Sequence, residues 1–79
     1  GRALDDEAFT AASWDYPFGT RLRVCNQHNA KCVDTVVSDR GPNRTLTQKG
    51  RIIDLSHRSF ETISPLTAGV IPVTVEVKQ

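Results

Sequence analysis

One carboxyl group is distinguished by its place in the sequence. Asp39 ends a run of β-branched residues and opens the segment Asp39-Arg40-Gly41-Pro42, whose Gly-Pro pair is typical of a tight turn. A carboxyl group can act as a proton donor when burial or a nearby negative charge raises its pKa. The same side chain can instead cap the turn by accepting hydrogen bonds from the backbone of Gly41 and its neighbours. Taken alone, the residues favour the cap.

The other candidate titratable groups have structural interpretations. Asp54 precedes Leu55 and Ser56, and we interpret it as capping the entry of a helix or pairing with Arg51. His28 lies in a polar loop and His57 in the first turn of the same helix. Neither histidine has metal ligands at the usual spacing, so we expect no metal site and no cofactor.

Two cysteines, Cys25 and Cys32, flank the polar segment 26–31, which is typical of a hairpin loop. Cysteines on facing strands of a hairpin come within disulfide range. Their spacing fits neither a CxxC redox motif nor a zinc knuckle. The alternative is a pair of free thiols in a cytosolic protein. We predict the disulfide, and with it an oxidising compartment.

Short strands are the elements that must position these groups. Apolar residues alternate with polar ones in several short segments, which predicts half-buried strands. We predict strands over 20–24, 32–37 and 70–77, and an extended segment over 51–55. The side chains predicted to face inward are Leu22, Val24, Val33, Thr35, Val37, Val73, Val75 and Val77.

One short helix is predicted between the last two extended segments. Ser56 is a suitable N-cap for a helix over 57–63, which Pro65 would end. The polar residues 44–50 are typical of a loop. Several short strands, one helix and tight turns fit a small barrel better than a sandwich.

Length and charge limit the classes of function. The chain has 79 residues, which predicts one domain over 1–79. Hydrophobic residues make up 38%, and no apolar run approaches the roughly 18–20 residues needed to cross a bilayer. The net charge is +1, and the basic residues of the middle of the chain alternate with acidic ones. A nucleic-acid footprint needs a sustained basic face, so we expect no nucleic-acid partner.

Five short motifs occur in order across about residues 4–77. They are Thr10-Ala11-Ala12, Pro17-Phe18-Gly19-Thr20, Asp39-Arg40-Gly41-Pro42, Arg51-Ile52-Ile53-Asp54-Leu55-Ser56 and Gly69-Val70-Ile71-Pro72-Val73. Each motif is weak alone, but the ordered set resembles the rare lipoprotein A family. The resemblance implies an all-β chain, a small six-stranded double-psi β-barrel with one short helix, related to expansin and barwin-like domains.

The sequence departs from this family at three points. Members usually begin with a strand containing an Ala-Ser-Trp-Tyr-Gly-like run, so here the first barrel strand is missing or is contributed otherwise. Active members carry a glutamate in a Gly-Glu-x-Phe-Asp-like segment and a histidine after Thr-Ala-Ala. Alignment on that last motif places Arg2 and Ser13 at the two positions, whereas the aspartates are retained as Asp5 and Asp39.

The resemblance also assigns roles to residues. It makes Asp39 the first candidate for the catalytic acid and Asp5 its partner, although Asp5 can equally be a solvated acid near a terminus. Trp14 and Tyr16 have flat apolar faces that suit a pyranose, or they are half buried at the barrel mouth. The predicted substrate-binding residues are Arg40, Ser13, Trp14 and Tyr16.

Two classes of function follow from the resemblance, some of whose members are lytic transglycosylases that cut peptidoglycan strands lacking stem peptides. The first is a cell-wall glycan-active domain similar to septal-ring lytic transglycosylases. The second is a non-catalytic, expansin-like module that binds peptidoglycan or another polysaccharide. A barwin-like defence protein ranks last, because it would carry more disulfides.

The same resemblance implies an extracytoplasmic location. The protein would be periplasmic, anchored in the outer membrane, or secreted. We expect membrane contact only through a lipidated N-terminus that this sequence does not contain.

Overall fold

The protein is described by a computed structural model that covers residues 8–43, 50 and 52–78. In this part of the chain five strands form one sheet in the order β4-β1-β3-β2-β5. One α-helix and one 3-10 helix connect β4 to β5. The elements are β1 (Thr10–Ala12), β2 (Arg21–Asn26), β3 (Cys32–Asp39), β4 (Asp54–Leu55), α1 (His57–Ile63), the 3-10 helix (Leu66–Ala68) and β5 (Val73–Val77).

The hairpin of β2 and β3 supplies most of the core. These strands pair antiparallel, and their alternating pattern buries one face, as predicted. Cys25 lies opposite Cys32 in this register, and the two form the predicted disulfide. The residues buried in the core cluster are Leu22, Val24, Val33, Val37 and Ile63, and Thr35 is buried on the same face of β3.

Strand β1 lies between β3 and β4. It pairs parallel with β3 and antiparallel with β4. The register with β3 shifts by one residue between Ala11 and Ala12, so that Ala12 lies opposite Asp39. Such an irregularity bends a strand and changes the direction of its next side chains. We had not predicted a strand here, because three residues are too few to show an alternating pattern.

Helix α1 begins and ends where the sequence predicted. The hydroxyl of Ser56 caps it by accepting a hydrogen bond of 3.2 Å from the amide of Ser59. The cap is therefore Ser56, and the prediction of an Asp54 cap is wrong. The alternative partner of Asp54, Arg51, lies outside the described residues. None of the helices in the described ranges is long and apolar enough to cross a membrane.

The hairpin loop between β2 and β3 is anchored on the end of α1. The side-chain amides of Asn26 and Asn29 donate hydrogen bonds of 2.9 Å and 3.0 Å to the backbone carbonyl of Ile63. The Asn26 side chain also accepts from the amide of His28 at 2.9 Å. The last carbonyls of a helix lack partners within the helix, and these asparagines satisfy one of them. The loop and the helix therefore stabilise each other.

Strand β5 is shorter than predicted. It begins at Val73, and not at Val70. The prediction that Val77 faces inward is wrong, because this residue is 50% exposed. Among the described residues β5 pairs only with β2, and Val77 lies at the far end of that pairing, opposite Leu22. A side chain at the end of an edge strand has too few neighbours to cover it. The described residues form five strands, where the resemblance implied six, and the predicted loop over 44–50 lies outside them except for Gly50.

Candidate functional site

The side chain of Asp39 lies at the end of β3, where the chain turns through Arg40, Gly41 and Pro42. It is only 6% exposed. Its Oδ1 accepts a hydrogen bond of 2.9 Å from the backbone amide of Arg40. The cap interpretation expected a donor from the backbone of Gly41 or its neighbours, and the observed donor is the neighbouring residue Arg40. The carboxylate is thus both buried and held in place by its own turn.

This turn packs closely against the end of β1. The backbone amide of Ser13 donates to the carbonyl of Asp39 at 3.1 Å. A Cβ atom added at Gly41 would lie 3.1 Å from the Cβ of Ala12, which is closer than ordinary van der Waals contact. Glycine and alanine at these positions therefore allow the turn after β3 and the loop after β1 to lie side by side.

Ser13 faces away from solvent. It is 1% exposed, and its hydroxyl accepts a hydrogen bond of 3.1 Å from the amide of Asp15. Serine hydroxyls commonly stabilise turns through such bonds to the backbone two residues further on. The structure thus engages this hydroxyl in the local turn, which gives Ser13 a structural role beside its predicted role in substrate binding.

Arg40 reaches back over the loop that follows β1. Its Nη1 donates to the backbone carbonyls of Ser13 and Tyr16, at 2.8 Å and 2.6 Å. Its guanidinium carbon lies 4.0 Å from the ring centre of Phe18, within the range of a cation–π interaction. Phe18, which was not among the predicted site residues, is thereby part of the site. Its place at a Pro-Phe-Gly-Thr turn gave no signal of this contact.

The two predicted sugar-stacking rings differ in their surroundings. Trp14 is 38% exposed, and its Nε1–H donates to the carbonyl of Pro42 at 2.6 Å. Its indole is therefore fixed on the Asp39 turn with part of its surface open to solvent. Tyr16 is half-buried and packs against the core cluster, as the alternative for this residue expected.

A second carboxylate lies across β1 from Asp39. Ala12 pairs with Asp39 on one side and with Asp54 on the other. Two strand spacings separate the backbones of the two aspartates, which is roughly 10 Å. Asp54 is exposed, and it is not the helix cap. Only the register of β1 brings Asp54 near Asp39, so the sequence had no signal for it.

The remaining predictions concern Asp5, Arg2 and metal binding. Asp5 and Arg2 lie outside the described residues. Among the residues that the structure describes, no group of three or more His, Cys, Asp or Glu side chains could hold a metal ion.

A groove of about 520 Å³ lies between α1, β4 and the segment that leads into β5. Its lining is mainly aliphatic and includes Ile52, Leu66 and Val70. Of the predicted site residues that the structure describes, none lines it. The groove also has Asp54 and His57 in its lining, but the described candidate residues gather at the Asp39 turn, so we place the candidate site there.

The architecture defines the class of the chain. It is a small all-β domain in which the segments after β1 and β3 meet beside a buried carboxylate and a fixed indole ring. Residues 1–75 match a family model described as lytic transglycolase. The chain belongs to this family and is an RlpA-like double-psi β-barrel domain, which confirms the predicted fold and resemblance.

The chain is similar to several curated relatives. It is 42% identical over 77 residues to the probable endolytic peptidoglycan transglycosylase RlpA of Nostoc sp., which covers 98% of this chain and 20% of the relative. The corresponding protein of Synechocystis sp. is 37% identical over 79 residues, covering 100% of this chain and 23% of the relative. The endolytic peptidoglycan transglycosylase RlpA of Vibrio cholerae is 36% identical over 77 residues, covering 98% and 28%. The chain thus spans between a fifth and three tenths of the length of these relatives.

Proposed function

We propose that this domain cleaves peptidoglycan glycan strands in the manner of a lytic transglycosylase, with Asp39 as the catalytic acid. The observation that carries the proposal is the buried Asp39 carboxylate, which opens the turn whose Pro42 carbonyl holds the partly exposed indole of Trp14. Family membership and the names of the relatives support the same chemistry.

Cleavage of a glycosidic bond needs a proton donor at the leaving oxygen and stabilisation of an oxocarbenium-like transition state. In the proposed reaction the Asp39 carboxyl gives its proton to the leaving oxygen as the bond from that oxygen to C1 breaks. The C6 hydroxyl of the same sugar then bonds to C1, and its proton passes to the Asp39 carboxylate. The product carries a 1,6-anhydro end, and the acid is restored. One well-placed carboxyl group therefore suffices.

The other residues have supporting roles in this proposal. Trp14 offers the exposed face on which a pyranose can stack. Asp5 remains the proposed second acid. Asp54, across β1 from Asp39, is an alternative second carboxylate that the register supports. Two variants separate these choices, because Asp5→Asn and Asp54→Asn would each lower turnover only if that residue assists.

A second function is favoured by one observation. Ser13 stands where the resemblance places a histidine, and its hydroxyl is buried and engaged by the Asp15 amide. A serine cannot exchange protons near neutral pH as a histidine does. This supports a non-catalytic, expansin-like module that binds wall glycan without cleaving it.

The proposed setting is extracytoplasmic, and the partner is peptidoglycan or a related wall glycan. The disulfide supports an oxidising compartment. We propose that the domain works in the periplasm, at the outer membrane or outside the cell, in a protein that a lipidated N-terminus would anchor.

The deciding experiment uses peptidoglycan strands stripped of stem peptides. Anhydro-sugar ends are measured by mass spectrometry for the wild type, Asp39→Asn and the matched control Asp34→Asn. Asp34 lies on the same strand but is exposed on the outer face. Anhydro ends from the wild type and the control, but not from Asp39→Asn, would support the enzyme. No anhydro ends from any of the three, with retention on insoluble wall material, would support the binding module and refute turnover.

A further inference from the structure

Arg40 contacts the loop after β1 at three separate points. In this loop, residues 13–18, the guanidinium meets the carbonyls of Ser13 and Tyr16 and lies over the ring of Phe18. These contacts span the loop from its first residue to its last. Hydrogen bonds from an ionised donor are roughly twice as strong as neutral ones, so Arg40 is a strong restraint on the loop.

Backbone bonds to β3 secure the two ends of the loop. The amide of Ser13 donates to Asp39, and the amide of Gly19, directly after the loop, donates to Val37 at 2.8 Å. Between these ends, the Arg40 guanidinium and the Trp14 indole bond to Pro42 tie the loop to the Asp39 turn. The Arg40 guanidinium therefore helps to hold the loop that carries Trp14.

The backbone of Arg40 contacts the Asp39 carboxylate. Its amide is the donor to the Asp39 carboxylate. A substitution at position 40 keeps this amide but removes the guanidinium. The residue thus offers a way to loosen the loop without removing the hydrogen bond that holds the carboxylate.

We propose that Arg40 is a positioning residue, which sets the Trp14 indole at a fixed place beside Asp39 so that a pyranose stacked on the ring presents its glycosidic bond to the carboxyl. This rests on the proposed glycan function. It gives Arg40 a role different from direct substrate binding, because Nη1 is already engaged by two backbone carbonyls. It also explains why Phe18, a 58% exposed aromatic residue, is kept in contact with the site.

Arginine suits this role better than lysine. The planar guanidinium can donate in its plane to the two carbonyls while its face stacks on an aromatic ring. A lysine ammonium keeps the charge and can donate to a carbonyl, but it cannot stack flat on Phe18. Glutamine keeps neither the charge nor the reach. We therefore expect loop order to fall from arginine to lysine to glutamine.

Trp14 is the only tryptophan in the sequence, so the fluorescence of the protein reports directly on this loop. Emission wavelength and acrylamide quenching are measured for the wild type, Arg40→Lys and Arg40→Gln, together with binding of stem-free peptidoglycan strands. The matched control is Arg58→Gln. Arg58 lies on α1, and its guanidinium carbon is 5.0 Å from the ring centre of Phe9, so it too contacts an aromatic ring but outside the loop. Circular dichroism at the assay temperature confirms that each variant is folded.

The expected result is a red-shifted, more readily quenched Trp14 in Arg40→Gln, with glycan affinity lower on the order of tenfold. Arg40→Lys should be intermediate, and Arg58→Gln should match the wild type. If turnover is detected, KM should rise and kcat should fall, because the stacked sugar then presents its glycosidic bond to the carboxyl less often. A lost fraction of folded enzyme would lower kcat and leave KM unchanged.

Three outcomes would overturn the proposal. Lost glycan binding with unchanged Trp14 emission and quenching would mean that Arg40 contacts the glycan directly. An altered Trp14 signal with unchanged binding would mean that the loop has no part in recognition, and no change in either would remove the role entirely. A wild type that binds no glycan would instead refute the proposed function, while the quenching data would still report whether Arg40 holds the loop.

Discussion

Removal of the disulfide is the perturbation whose cost can be worked out most directly. The bond joins Cys25 to Cys32, seven positions apart, and closes a loop of eight residues. In the chain-entropy description a loop of this size stabilises the folded state by about 2.5 kcal/mol at 25 °C. For a domain of this length that corresponds to a fall in Tm of roughly 10–20 °C. We expect this loss in a Cys25→Ser, Cys32→Ser double variant.

The effect should spread beyond the hairpin. Asn26 and Asn29 lie inside the closed loop and donate to the carbonyl of Ile63 at the end of α1. Loosening the loop therefore weakens the helix end as well, and hydrogen exchange should speed up in both segments. Asn29→Ala is a useful comparison, since it removes the bond to Ile63 and the bond that Asn29 accepts from the Lys31 amide, worth about 1 kcal/mol each, and keeps the disulfide.

Urea unfolding followed by circular dichroism measures the loss, with oxidised and reduced wild type run beside the double variant. Reduced wild type and the double variant should agree, because both lack the cross-link. A loss below about 1 kcal/mol in both would contradict the reasoning, since the reduced hairpin would then be as ordered as the cross-linked one.

Three further perturbations test other features. Gly41→Ala should destabilise the domain by about 1–3 kcal/mol, since its Cβ would meet Ala12, and an unchanged urea midpoint would show that the turn can move aside. Thr35→Val should raise Tm by several degrees, because the buried Thr35 hydroxyl has no hydrogen-bond partner within the described residues, and a lower Tm would reveal a partner. The Lys78 ammonium, and then the Arg23 guanidinium, hold the pKa of the exposed Asp34 below its usual value. A lowered folded-state pKa gives stability that is present above the unfolded value and lost as the pH falls, so the small advantage of wild type over Asp34→Asn in thermal unfolding should vanish below about pH 4.

Local patterns were sufficient for much of the fold. The alternation in β2 and β3, the Ser56 cap with helix 57–63 and the disulfide each depend on residues close together in the chain, and each is confirmed. The strand β1 was missed for the opposite reason. Three residues carry no period, and β1 exists because β3 and β4 pair with it from both sides.

In the candidate site, too, some features followed from local sequence and others from the tertiary structure. The sequence alone made Asp39 a candidate, at a Gly-Pro turn after a strand, and supplied the ordered motifs that place the chain in its family. It determined which carboxyl and which aromatic rings were available, because residue type and local turn propensity are properties of short segments. Only the tertiary structure decided that Ser13 is buried, that Asp54 lies across β1 from Asp39, and that Arg40 holds the loop carrying Trp14. Those relations depend on strand register and on contacts between residues more than twenty positions apart, which no local pattern in one sequence encodes.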